Sequence, residues 1–281
     1  MSSIQALKNG DLNSALTHLK AEVRNDPSES KHRIFLFQLL CILGEWDRAL
    51  TQLNVARELS NESTSMAETY QEALNCEALR AAVFAGRRAP LLFGEPEPWM
   101  AMMLEALKLD CLGSHEEGQA LREQALEQAP TVAGKIFPHL SDEQRKSAAA
   151  SDISNEIAFE WIADADSRIG PFLEAIVHGK YFWIPFQHIR IMLLEKATDL
   201  RDLVWLPARW EWKNGGEAVG FVPTRYAGSE QATDDHIRLG WKTTWTETTA
   251  STFAGAGQRI FTTDLDEYPL TRISKIEFHV E

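Results

Sequence analysis

Residues 159–186 read FEWIADADSRIGPFLEAIVHGKYFWIPF and separate two parts of the chain that differ in their apolar pattern. Before this stretch apolar residues recur at the spacing of α-helices, and after it they form short runs typical of β-strands. We therefore expect two domains, an all-α domain over residues 1–140 and an α+β domain over residues 141–281. The polar, alanine-rich residues 137–154 form the expected connection, partly helical over residues 142–149.

The stretch itself contains two predicted helical segments and one predicted strand. Apolar residues recur at helical spacing over residues 157–165 and again over residues 172–177, on either side of Gly170-Pro171. Gly179 is expected to end the second of these helices. Tyr181–Pro185 is rich in aromatic residues, which favours a strand. The change from helices to strands is thus predicted to fall within this stretch.

A seven-residue motif recurs in the first part with an offset of 34 residues. GDLNSAL at Gly10–Leu16 aligns with GEWDRAL at Gly44–Leu50, and a weaker third copy begins at Gly113. Pro27 and Pro130 each stand 17 residues after the glycine of their copy. We interpret each copy as a helix–turn–helix unit. Glycine ends the first helix, a small residue lets the second helix pack closely, and proline ends that second helix.

This pattern resembles the tetratricopeptide repeat, and the resemblance implies a curved helical solenoid over the first domain. Such a solenoid binds extended or helical segments in its concave face. The alternative is a helical bundle that only supports the second domain. In the second copy the first-helix residues Lys31, Ile34 and Gln38 are the predicted partner-binding residues.

Turns separate several short predicted strands in the second part of the chain. Asn214-Gly215-Gly216 predicts a hairpin turn, because these residues accept positive φ angles. Ile189–Leu194 and Ile273–Phe278 are predicted strands. The predicted fold class is therefore an all-α tetratricopeptide-like solenoid followed by an α+β domain with a small barrel-like β-sheet, or a twisted mixed sheet.

The composition limits the classes of partner and the compartment. The 281 residues carry a formal net charge of −13, which argues against nucleic acid because phosphate binding needs a basic surface. No stretch approaches the roughly 20 apolar residues of a membrane span, and the first residues lack the pattern of a signal peptide. Cys41, Cys76 and Cys111 lie in apolar helical patterns and are expected to be buried thiols. These features predict a cytoplasmic protein.

Charged and aromatic residues of the second part form a candidate functional cluster. Its members are Asp164, Asp166, Arg168, Arg201, Asp202, Trp205, Arg225 and Tyr226. One interpretation is a small-molecule or metal-dependent hydrolytic site built on the aspartates and arginines. The other is structural: the aspartates cap helices, and the three arginines form buried ion pairs with the three aspartates of the cluster. The tryptophans of this region are expected in the core or the domain interface, namely Trp161, Trp183, Trp205 and Trp210.

Common catalytic and cofactor-binding motifs are missing from the sequence. Gly255-Ala256-Gly257 precedes a predicted strand rather than a helix, which excludes a phosphate-binding loop. No Gly-x-Ser-x-Gly element is present, and the cysteines lack an evident histidine partner. Asp234-Asp235-His236 offers metal-ligating side chains, but adjacent residues rarely bind one ion, so a solvated loop is favoured. No catalytic residue, cofactor or metal is therefore predicted.

Five segments of the second part carry a family resemblance when they are taken together. They read WIADADSRIGP, GKYFWIPF, LRDLVWLPA, PTRYAGSE and GAGQRIFTTD, in this order between Trp161 and Asp264. With the repeats before them, they resemble the ImpE (TagJ) family of accessory proteins from bacterial type VI secretion clusters. Trp241 is one departure, because a basic residue is expected there.

The resemblance implies a non-enzymatic, cytoplasmic accessory protein. Its implied partner is the N-terminal helix of the small subunit of the contractile sheath. Through this contact the protein is expected to influence sheath assembly, or sheath recycling by an unfoldase that it contacts indirectly. A helical solenoid that holds a partner helix agrees with this expectation.

Overall fold

The computed structural model describes residues 2–139 and 156–279 of the chain. Within them, helices fill most of the first part, and one short helix lies in the second part. They are α1 (Ser3–Lys8), α2 (Leu12–Asn25), α3 (Ser30–Ile42), α4 (Trp46–Leu59), α5 (Thr64–Phe84), α6 (Pro98–Cys111), α7 (His115–Gln128) and the short α8 (Asp235–Arg238). The predicted helical segment at 142–149 and the predicted domain boundary at residue 140 lie outside the described residues.

The repeated glycines end helices in the predicted way. Gly10, Gly44 and Gly113 follow α1, α3 and α6 with φ angles of 74°, 70° and 84°. Ala15 and Ala49 are fully buried, as close packing of the next helix requires. The helix–turn–helix interpretation of the motif is therefore confirmed at these turns. The solenoid built from such units stays a prediction.

Strands fill most of the second part, and two more strands come from the first part. They are β1 (Leu91–Leu92), β2 (Gly134–Pro138), β3 (Ile157–Phe159), β4 (Ile162–Asp164), β5 (Phe172–Val177), β6 (Lys180–Pro185), β7 (Ile189–Leu194), β8 (Trp205–Trp212), β9 (Glu217–Pro223), β10 (Thr243–Thr249), β11 (Thr252–Gly257), β12 (Ile260–Thr263), β13 (Glu267–Pro269) and β14 (Ile273–Phe278). The predicted strands at 189–194 and 273–278 are confirmed, as is the hairpin turn between β8 and β9.

The strands form one large open sheet and two small ones. The nine-stranded sheet has the order β1-β6-β5-β9-β8-β7-β14-β2-β3, with only β1 and β6 parallel among its neighbours. β13-β12-β4 and β10-β11 form the small sheets. Strands β1 and β3 stand at opposite edges and do not pair with each other, so the predicted barrel is wrong for the described strands. A helical part followed by a sheet part is confirmed.

The large sheet is buried on both faces around its middle strands. One face, which includes Phe172, Trp183, Trp205 and Phe221, packs against the helices. The other face includes Leu173, Leu206 and Trp210 and packs in one core with Ile162 and Phe261 of the three-stranded sheet. This double burial explains why the strands carry so many large side chains. Trp183, Trp205 and Trp210 are confirmed as core residues.

Four sequence predictions are wrong. Residues 157–165 and 172–177 form β3, β4 and β5 rather than helices. All six residues of β5 are buried, so the strand lacks the alternation that would identify it. Trp161, expected in the core, is 39% exposed beside the turn that leads into β4. Cys111, expected to be buried, is exposed at the last turn of α6.

None of the helices described for this chain is both long and apolar enough to span a bilayer. The longest, α5, contains polar residues throughout and packs against the sheet.

Candidate functional site

A chain of buried ion pairs lies between α5 and the large sheet. Arg259 is fully buried and bonds to the carboxylates of Asp164 and Glu174. Glu174 also accepts a hydrogen bond of 2.7 Å from Nε of Arg80, on α5. Arg80 in turn lies 3.5 Å from Glu77, one turn earlier on the same helix. We call these five residues the buried ionic chain.

Uncharged groups complete the bonding of this chain. The Tyr181 hydroxyl donates to Glu174 and accepts a 2.8 Å bond from the indole of Trp183. The Trp205 indole donates to Glu77 at 2.8 Å. Nε of Arg259 donates to the Pro223 carbonyl at 2.9 Å. Because buried charges are stable only when they are paired and hydrogen-bonded, this saturation is what allows five ionisable groups inside the protein.

The two central carboxylates respond to their surroundings in opposite directions. Burial raises the pKa of Glu174, but attraction by Arg80 and Arg259 outweighs it and lowers that pKa to about 2. Burial raises the pKa of Asp164 to about 7, because Arg259 offsets only part of the desolvation and Asp166 adds repulsion. Glu174 is therefore the firmly ionised member and Asp164 the member that protonates near neutral pH.

Asp166 and Arg168 form a second ion pair in the loop between β4 and β5. Nε of Arg168 donates to Asp166 at 2.9 Å, and the Gly255 backbone N–H donates to the same carboxylate at 2.9 Å. The Asp166 backbone N–H donates to Asp164 at 2.9 Å, which links this pair to the buried ionic chain. The predicted pairing of Arg168 with a nearby aspartate is confirmed, and it fastens the loop to β11.

Two other members of the predicted cluster, Arg201 and Asp202, lie apart from the buried ionic chain and stabilise a local turn. Asp202 accepts from the Thr198 and Asp199 backbone N–H groups and caps the short helical turn Leu200–Leu203. Arg201 pairs with Asp199 at 2.7 Å rather than with Asp202. These two residues therefore stabilise the connection between β7 and β8.

Arg225 and Tyr226 bond to backbone groups rather than to carboxylates. Arg225 donates to the Ile42 carbonyl at 3.0 Å and to the Cys41 carbonyl at 3.3 Å, so it caps the C-terminal end of α3. The Tyr226 hydroxyl bonds to both backbone groups of Ile260, at 3.0 and 3.1 Å. The predicted ion pair of Arg225 with an aspartate is wrong.

Sequence reasoning missed three central residues, Glu174, Arg80 and Arg259. Glu174 and Arg80 are the lone charges in the apolar runs FLEAIV and ALRAAVF, and Arg259 stands directly before the apolar pair Ile260-Phe261. A single charge inside a buried element needs a partner of opposite sign, so this pattern was the available signal. The cluster as a whole is dispersed, and its charges are bonded to one another instead of converging on a cavity.

Removing the Asp164 carboxylate is expected to change how stability depends on pH. Its pKa lies near 7 in the folded chain and near 3.9 in the unfolded chain, so the folded state binds the proton more tightly. Its contribution to the free energy of unfolding is then present below about pH 4 and is lost as the pH rises to 7, by about 1.4 kcal/mol per pH unit. Urea unfolding across pH 4–8 measures the free energy of unfolding of the wild type and of D164N. The wild-type value minus the D164N value should fall with this slope between pH 4 and 7.

The exposed carboxylate Asp234 supplies the control for that measurement. It pairs with Lys242 at the surface, so D234N should leave the slope between pH 4 and 7 unchanged. An identical slope in the wild type and D164N would contradict the role given to Asp164.

The residues singled out as possible metal ligands are also bonded within the protein. Asp234 caps α8 by accepting from the His236 backbone N–H at 2.9 Å. Asp235 accepts from the Leu12 backbone N–H at 3.0 Å and so caps α2 across the chain. Among residues 2–139 and 156–279, no group of three or more His, Cys, Asp or Glu is arranged to hold a metal ion.

An open groove of about 620 Å³ lies where α5 stops covering the large sheet. Ile176, Pro207 and Phe221 are among the residues that line it beside Thr69 and Glu72 of α5. Farther along the sheet, Leu193, Arg209 and Val219 stand side by side on β7, β8 and β9. Leu193 is 41% exposed and Val219 is 65% exposed. These two exposed apolar side chains flank Arg209 and, with the apolar residues that line the groove, form a candidate binding surface beside a buried core.

The three predicted partner-binding residues share helix α3 but differ in exposure. Lys31 is exposed, Ile34 is half-buried, and Gln38 is buried with 7% exposure. Lys31 and Ile34 are therefore the two of the three that a partner could reach without rearrangement.

Comparisons with known proteins cover both parts of the chain. A family model described as ImpE protein matches residues 156–277. The type VI secretion system accessory component TagJ of Pseudomonas aeruginosa is 44% identical over 274 residues, which is 98% of this chain and 90% of that protein.

A solved structure shares the fold. The crystal structure of protein VPA1032 from Vibrio parahaemolyticus has a TM-score of 0.83, with 99% of this chain and 98% of that chain covered. Its sequence identity of 23% limits this likeness to the fold.

Proposed function

Because this chain belongs to the ImpE (TagJ) family of type VI secretion accessory components, we propose that it is a non-enzymatic adaptor of such a secretion system. It binds the N-terminal helix of the small sheath subunit and thereby influences sheath assembly or recycling. It works in the cytoplasm, where the free thiols of Cys41 and Cys76 stay reduced.

One observation carries this proposal: an apolar groove is open to solvent, whereas the candidate catalytic charges are bonded inside the protein. A hydrolytic site needs its carboxylates within hydrogen-bond reach of a substrate. Asp164, Asp166 and Glu174 are at most 3% exposed, and each forms an ion pair with an arginine. An apolar groove, in contrast, suits the apolar stripe of an amphipathic helix.

Titration calorimetry of the full chain against a peptide of the sheath subunit's N-terminal helix tests the proposal. Micromolar or tighter binding is expected, about −8 kcal/mol or better. The matched control is the same peptide with proline in its middle, which breaks the helix and should abolish the heat of binding. Equal binding of both peptides, or of neither, would contradict recognition of a helix.

The surface of α3 is the alternative position for the partner helix. The exposed ammonium of Lys31 would then contribute to binding, and K31E should weaken the affinity for the peptide several-fold. An affinity equal to that of the wild type would remove the α3 surface from consideration.

A further inference from the structure

The groove beside α5 has an uneven charge distribution as well as an apolar floor. Glu72 of α5 and Glu195, which follows β7, are both exposed and line it. Neither carboxylate has an ion-pair partner within the described parts of the chain. Arg209, which also lines the groove, is already paired with Glu217. The groove therefore presents two uncompensated negative charges.

The two carboxylates stand on opposite sides of the apolar floor. Glu72 lies against Gly179 in the turn between β5 and β6, where a Cβ atom on Gly179 would be 2.9 Å from the Glu72 carboxylate. Glu195 follows β7, and strands β9 and β8 lie between β5 and β7 in the sheet. Three strand spacings correspond to about 14 Å. An α-helix with its side chains is about 10–12 Å wide, so the width of the sheet from β5 to β7 accommodates one helix.

We propose that this groove binds an amphipathic partner helix whose apolar stripe is flanked on both sides by lysine or arginine. This proposal rests on the proposed function and specifies the site and the chemistry of the helix. The apolar stripe covers Leu193, Val219 and Phe221. The flanking cations reach Glu72 and Glu195, and their aliphatic stems cover the rim of the groove. The net charge of −13 also attracts a basic helix at long range.

Single substitutions on the floor test the location of the site in the full chain. Val219 is 65% exposed, so V219D should fold normally, and it should lower the affinity for the sheath N-terminal peptide at least tenfold. L112D is the matched control, because Leu112 is 72% exposed and lies outside the groove. L112D and K31E should both bind like the wild type.

Charge changes test the chemistry of the occupant. The E72K/E195K double variant should bind at least tenfold more weakly, and its affinity should depend less on salt concentration than that of the wild type. A peptide with its lysines and arginines replaced by glutamine should bind the wild-type protein more weakly by the same factor. The same replacement should change the affinity for the double variant little. Circular dichroism checks that each variant is folded.

The outcomes separate this proposal from the function on which it rests. If the wild type binds the peptide and V219D binds it equally well, the groove is not the binding site, although the adaptor function stands. If K31E loses affinity instead, the partner helix lies on α3. If V219D loses affinity but E72K/E195K does not, the partner helix does not use basic flanking residues. No binding by the wild type would contradict the adaptor function itself.

Discussion

Replacing Arg259 by methionine is expected to lower the free energy of unfolding by about 3–5 kcal/mol. The guanidinium is fully buried and bonds to two buried carboxylates, Asp164 and Glu174. Methionine fills a similar volume but leaves both carboxylates without that partner. Glu174 keeps Arg80, whereas Asp164 loses its only ion pair within the described residues. Urea unfolding at pH 7 measures the loss.

Two further variants show whether the loss comes from the carboxylates. R209M makes the same change in the surface pair with Glu217, where both side chains are more than half exposed, and should cost less than about 1 kcal/mol. Adding D164N to R259M should recover part of the stability, because asparagine spares the folded state the cost of protonating the buried Asp164 side chain at pH 7. A loss in R259M no larger than in R209M would contradict the role of the buried ionic chain.

Replacing Gly257 by alanine is expected to destabilise the protein by about 3–5 kcal/mol. Its φ angle is 102°, and a Cβ atom would lie 1.9 Å from the carbonyl oxygen of Lys242. That oxygen belongs to the backbone at the start of β10 and has little room to move. Gly257 also donates to Ser229 at 2.8 Å and accepts from the Tyr226 backbone N–H at 2.9 Å. Thermal or urea unfolding checks the result.

Gly215 provides the comparison that isolates the effect of the backbone angle. It has a φ of 84° in the β8–β9 hairpin turn, and no atom lies within 4 Å of the position of its Cβ. G215A should therefore cost only the conformational strain, about 1–2 kcal/mol. If G257A cost no more than G215A, close backbone packing at Gly257 would be refuted.

The helical part was the more predictable half, because its turns depend on local chemistry. Gly10, Gly44 and Gly113 each follow the end of a helix with a positive φ angle, which other residues resist. The resemblance to the ImpE family likewise depends on ordered segments of sequence, and the comparisons confirm it. Neither inference required knowledge of long-range contacts.

The segment around β3, β4 and β5 could not be assigned from its pattern. Apolar residues of two short strands joined by a turn coincide with helical spacing over 157–165, and β5 is apolar on both sides. Only the pairing of Ile176 with Phe221 and of Phe261 with Asp164 distinguishes strand from helix here. Those contacts join residues that are distant in sequence.

The candidate cluster was predicted by residue type, and residue type does not give the partner. Asp164, Asp166 and Arg168 do lie together, but Glu174 on β5 and Arg259 between β11 and β12 complete their network. Arg225 bonds to α3 because the fold brings the end of that helix to it. The groove could not be predicted either, since it exists only where α5 leaves three neighbouring strands uncovered.

The position of β2 has a consequence for the ancestry of the chain. β2 lies between β14 and β3 in the sheet, although its residues precede residue 156, where the match to the family model begins. β1, from between α5 and α6, forms the opposite edge. A gene exchange that transferred only the matched segment would deliver a sheet without one interior strand and one edge. The helical and sheet parts are therefore constrained to be inherited together, as a single unit of descent.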